Sequence, residues 1–236
     1  MIIQNGFFRN MKLALYNFAV FSPRLLIICA CYPVFSIIWG IMSGMDTIPL
    51  IQTGSMYIAT LCVISPAILA ISFYTVSYKY IINFSSTKKN FYFASIISIF
   101  LFSVFVIILG MVEGMIFGFF MVDSFYELLC LIVLAIFMGI LGSFYGIIFY
   151  KNYAVGFFVL IVSIFLGFAG IIINVILKID EYVPPVLDRP NEFTLNYSLI
   201  NFYNISNPVV MIILIASGVI LTVVNWFLVR KLEIKS

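Results

Sequence analysis

The stretch 93–113, FASIISIFLFSVFVIILGMVE, carries no charge until its last residue, Glu113. A helix rising ~1.5 Å per residue needs about 20 apolar residues to cross the bilayer core, and this run supplies them. Comparable runs recur along the chain, so six spans are expected at about 25–45, 57–77, 93–113, 128–150, 154–177 and 209–229. Strands of a membrane barrel would instead alternate over short segments. The predicted fold class is therefore all-α: a polytopic membrane protein, six transmembrane helices in a single transmembrane domain covering 1–236. Composition agrees, with 64% apolar and only 9% charged residues.

Charge placement sets the expected orientation, because Lys and Arg near span ends are retained in the cytoplasm. With the N-terminus inside, Arg9, Lys12, Arg24, Lys79, Lys88, Lys89, Lys151, Arg230, Lys231 and Lys235 all fall on the inner side. Only Lys178 and Arg189 remain outside, while every acidic residue except Glu233 lies at or near the outer surface. Both termini are expected in the cytoplasm. The net charge of +3 is then a by-product of sidedness and no sign of nucleic-acid binding. Abundant Ile, Phe, Asn and Lys point to an AT-rich genome, so the expected location is a bacterial plasma membrane, where the sequons at Asn83, Asn196 and Asn204 carry no glycan.

Segments outside the spans are short. In 1–24, Phe7, Met11, Leu15, Phe18 and Phe21 recur at helical spacing, with Arg9, Asn10, Lys12 and Asn17 at other angles, which predicts a cytoplasmic amphipathic helix along the membrane surface. Ser22-Pro23 is expected to break it before the first span. Lys151-Asn152-Tyr153 joins spans four and five in a tight hairpin. The extracellular loop 178–207 is acidic and proline-rich at first. It then sets Phe193, Tyr197, Ile200 and Tyr203 on one face of a short helix that Asn191 could cap, a candidate outer gate before the last span. Gly139, Gly142 and Gly146 in span four, and Gly156, Gly167 and Gly170 in span five, offer flat surfaces for close helix packing.

The chain holds little that could do chemistry. It has no histidine, which removes imidazole metal sites and His-based triads, and no phosphate loop ending in Gly-Lys-Ser/Thr. The middle thirds of the spans carry no Asp pair, Lys or Arg. We therefore expect no catalytic residue, no metal and no cofactor, and no enzyme activity in this chain. Cys29, Cys31, Cys62 and Cys130 lie inside spans, where thiols act as small hydrophobes. Glu113 reads as an outer-interface residue, Asn174 and Asn225 as interhelical hydrogen-bonding groups, and Pro33 and Pro66 as span interruptions whose freed carbonyls are satisfied locally.

The loop at 78–92 stands apart. It contains YKYIINFSSTKKN at 78–90, with Lys88 and Lys89 amid Asn83, Ser85, Ser86, Thr87 and Asn90 and flanked by Tyr78, Tyr80, Phe84, Phe91 and Tyr92. A purely topogenic loop needs only the lysines. Six spans, an amphipathic N-terminal helix, this basic loop after span two and a helical insert before span six together resemble the membrane subunit of type-2 ABC transporters of the exporter class. The resemblance implies that Ser85, Ser86, Thr87, Lys88, Lys89, Asn90 and Phe91 form a cytoplasmic coupling element seated in a separate ATP-binding subunit. It also implies a second permease copy or a homologous permease as partner. Spans rich in Phe, Ile, Leu and Tyr point to a hydrophobic or amphipathic substrate, such as a peptide, a lipid-like compound or a drug, with membrane lipid around the bundle. The competing readings are a non-transporting membrane interaction or immunity protein, and a channel or secondary carrier in which Glu113 and Asn174 would face water.

Overall fold

The computed structural model describes residues 61–78, 87–117, 125–163, 165 and 208–232, together with Lys12, Tyr16, Ala19, Pro23, Ile38 and Met42. Every element among these is helical. We number them α1 (Leu61–Ser77), α2 (Lys88–Phe117), α3 (Phe125–Lys151), α4 (Tyr153–Ser163) and α5 (Pro208–Arg230). α2, α3 and α5 are each long and apolar enough to cross a membrane. The chain is thus a helical membrane protein with three candidate spans among the described residues, which match the third, fourth and sixth expected ones. The first expected span apart from Ile38 and Met42, with Cys29, Cys31, Pro33, Asn174, Gly167, Gly170 and all of 178–207, including Phe193, Tyr197, Ile200 and Tyr203, lie outside the described residues. So does the 1–24 helix, apart from Lys12, Tyr16, Ala19 and Pro23. Pro23 is itself helical where a break was expected.

α3 is the central element and packs against α1, α2 and α5. Its buried residues Leu131, Ala135, Gly139, Gly142, Ser143, Gly146 and Ile147 repeat every three or four positions, which turns one flat stripe toward α1 and α2. A Cβ added at Gly142 would stand 2.5 Å from the Cα of Ala67, and one at Gly146 would stand 3.0 Å from the Cα of Ile71. The backbones of α1 and α3 approach this closely only because glycine has no side chain. On its other side, α3 presents Phe137 and Ile140 to Gly218 of α5. Asn225 fixes the α3–α5 pair by donating its side-chain amide to the carbonyl of Ile140 at 3.0 Å, the interhelical bond expected of it.

α1 departs from regular geometry twice. Pro66 has no amide to offer the carbonyl of Cys62, and the hydroxyl of Ser65 bonds that carbonyl at 3.5 Å instead. Further on, residues Phe73–Ser77 form a π-helical turn in which the Tyr78 amide reaches the carbonyl of Phe73. Ser72 and Thr75 donate to the carbonyls of Leu69 and Ile71 at 2.7 and 3.0 Å, and such back-bonding competes with the backbone ladder and loosens it. The Cys62 thiol lies 3.4 Å from the carbonyl of Val106 on α2, and Cys130 is buried; neither is in a disulfide.

The connections set the direction of each helix. Asn152 alone separates α3 from α4, and its side chain accepts the amides of Ala154 and Val155 as an N-cap. Gly156 lies against the backbone of Phe149, so α4 folds back on the end of α3 as the short linker predicts. α1, α3 and α5 run toward one end of the bundle, where α2 and α4 begin. Lys88, Lys89, Lys151, Arg230 and Lys231 all stand at that end, and Glu127 begins α3 at the other. Helix α2 continues through Glu113 to Phe117, beyond the expected span end.

Candidate functional site

The end bearing these cations is where the sequence singled out a docking loop. Within it, Ser85 and Ser86 lie outside the described residues, and Thr87 opens α2. Its side-chain oxygen accepts the amide of Asn90 at 3.2 Å and its carbonyl accepts the amide of Phe91 at 3.0 Å, the pattern of an N-cap. Lys88, Lys89, Asn90 and Phe91 therefore form the first turn of a membrane helix, and the loop ends five residues earlier than the apolar run alone predicts.

These four side chains point in different directions, as consecutive helical residues must. Lys88 turns toward α5. Its ammonium donates to the carbonyl of Arg230 at 3.3 Å and to the carbonyl of Leu232. Both carbonyls lie at the end of α5, the negative end of the helix dipole, so a lysine there acts as a C-cap of α5. Lys89 points to the surface and Asn90 is half-buried. Phe91 is buried, with its ring 5.4 Å from that of Tyr74 and 5.1 Å from that of Tyr78, both edge-on. Tyr78 also meets Tyr150 of α3 at 5.0 Å. Of the seven candidates, Thr87 and Lys89 are exposed, while Lys88 and Phe91 are engaged within the bundle.

Tyr92 adds a second tie to α5. Its hydroxyl donates to the carbonyl of Thr222, and its ring lies 5.3 Å from that of Trp226. One turn of α2, residues 88–92, thus bonds to the end of α5 through Lys88 and Tyr92 and to the end of α1 through Phe91. Sequence reading placed Tyr92 only as a loop flank and passed over Thr222 and Trp226. Thr87 followed by a long apolar run was the available signal for the helix start. Nothing in the sequence announces the contacts to α5, because they join positions more than a hundred residues apart.

Two buried hydroxyls here contrast. Tyr74 shares a hydrogen bond with Ser95 at 3.3 Å, whereas the hydroxyl of Tyr78 has no partner among the described residues. Among the described residues no three His, Cys, Asp or Glu side chains gather where they could hold a metal. Comparison with protein-family models, with curated proteins and with solved structures finds no match to this chain.

Proposed function

We propose that this chain is the permease subunit of an ATP-driven exporter, embedded in a bacterial plasma membrane with both termini in the cytoplasm. It pairs with a second permease, identical or homologous, and takes its energy from separate ATP-binding subunits that dock on the loop ending at Thr87. The observation that supports this reading is the bonding of the first turn of α2: force applied to the loop reaches α1 through Phe91 and α5 through Lys88 and Tyr92. A loop that served only topology would need no such ties. Thr87 and Lys89, being exposed, are the residues of this turn that present themselves to an ATPase. The apolar, aromatic character of the spans favours a hydrophobic or amphipathic cargo.

The test is co-purification from native membranes. The expected result is an ATPase subunit in complex with the chain, with Lys89→Glu weakening that association about tenfold by reversing an exposed charge. A chain that brings down no ATPase, or an association indifferent to Lys89→Glu, overturns the docking assignment. Substrate class is read from drug and peptide sensitivity of deletion and overexpression strains, where unchanged sensitivity rejects the exporter.

A further inference from the structure

The seam between α2 and α5 ends in a set of side chains that the transport reading does not use as a group. Lys89 and Phe93 lie one turn apart on α2, and Trp226 and Arg230 lie one turn apart on α5. The rings of Phe93 and Trp226 are 6.3 Å apart, and the Arg230 guanidinium stands 5.7 Å over the Trp226 ring. The ring pair therefore bridges the two helices, with a cation one turn above it on each side. Lys89, Arg230 and the adjoining Lys231 are exposed, and no carboxylate among the described residues meets any of them.

Below the cations the flank is apolar and open. Val223, Trp226, Phe227 and Arg230 share one face of α5 by their spacing, and Val223 and Phe227 are 50% and 56% exposed. Phe93 is 45% exposed on the facing helix. An anion beside a helix C-terminus is ordinarily opposed by the bare carbonyls, but here Lys88 already occupies those of Arg230 and Leu232. What remains is a strip with two cations at its end and exposed hydrocarbon and rings beneath.

We propose that this strip binds an anionic phospholipid. Its phosphate sits between Lys89 and Arg230, and an acyl chain lies along Phe93, Trp226 and Val223. A guanidinium beside an ammonium suits a phosphate, for which arginine can offer two parallel N–H donors. Zwitterionic lipid brings its own cation and loses the electrostatic share. The site does not depend on an ATPase or on transport.

The chain has two tryptophans, so Trp39→Phe leaves Trp226 as the only indole. The purified full chain with that change is reconstituted in phosphatidylcholine vesicles holding a minor fraction of phosphatidylglycerol, with bromine on the acyl chains of one lipid or the other. Brominated phosphatidylglycerol is expected to quench Trp226 as if enriched over its bulk fraction by about fivefold for each cation engaged. Arg230→Gln, which leaves the docking loop intact, removes much of that enrichment, and Lys89→Gln with Arg230→Gln removes the rest. Arg230→Lys retains part of it. Equal quenching by the two lipids overturns the proposal, and that comparison needs no charge variant to fold. A preference that survives both Gln substitutions equally overturns the placement of the phosphate. Since no ATPase is present, neither result bears on the docking of one.

Discussion

Lys88 and Lys89 are neighbours of identical chemistry, and the helix separates their roles. About 100° of rotation turns Lys88 onto the last carbonyls of α5 and leaves Lys89 at the surface. Lys88→Gln is therefore expected to destabilise the bundle by about 1–2 kcal/mol through loss of a charged cap, while Lys89→Gln stays within about 0.5 kcal/mol. Thermal unfolding in detergent gives the difference, and amide exchange at 229–232 locates it. A similar contrast holds for two tyrosines. Tyr92→Phe gives up the hydrogen bond to Thr222 and lowers stability. Tyr78→Phe removes a buried hydroxyl that has no partner among the described residues, so the same measurement is expected to show no loss, or a gain of up to about 1 kcal/mol. No reading of the local sequence separates either pair, since the difference lies in what a distant helix places opposite.

At the scale of the helix, the chain's small residues divide into those that meet backbone and those that do not. The stripe Gly139, Gly142, Gly146 was legible in the sequence because three- and four-residue spacing on an apolar helix directs small residues to one side. Which glycine is indispensable was not legible, for that depends on the neighbour. A side chain at Gly142 runs into the backbone of Ala67, which cannot rotate away, whereas a Cβ at Gly218 finds among the described residues only Phe137 at 3.7 Å and Ile140 at 3.9 Å. Gly142→Ala is expected to cost about 1–3 kcal/mol or to part α1 from α3, and Gly218→Ala to be neutral or mildly stabilising. Unfolding midpoints of the two variants check this, and equal midpoints would contradict the packing described. The π turn of α1 escaped sequence reading for a related reason. Serine and threonine back-bond in many membrane helices, and here the irregular turn also buries Phe73 and Tyr74, the latter against Phe91 and Ser95 of α2.

Across the whole molecule, the apolar runs were the most legible feature, because the bilayer demands an unbroken stretch of fixed length wherever a helix crosses it. Helix ends were less so: α2 begins at Lys88, capped by Thr87, and continues past Glu113, since a cap and a dipole act on backbone that hydropathy does not weigh. The helix directions join these scales. α1, α3 and α5 finish at one end and α2 and α4 start there, so Lys88, Lys89, Lys151, Arg230 and Lys231 share a side through packing as well as through charge counting. If that side is the cytoplasm, a cysteine at Asn152, the single residue between α3 and α4, and one at Lys231, just beyond α5, must report the same compartment. Phe125, which opens α3 at the other end and is 73% exposed, must report the opposite one. In a background with the four native cysteines replaced by alanine, a membrane-impermeant maleimide is expected to label Asn152→Cys and Lys231→Cys only in inverted vesicles, and Phe125→Cys only in intact cells. Labelling of Asn152→Cys and Lys231→Cys from opposite sides would break the packing of α3 beside α5, whereas a uniform reversal of all three would leave the bundle intact and move the loop before Thr87 out of reach of any cytoplasmic ATPase.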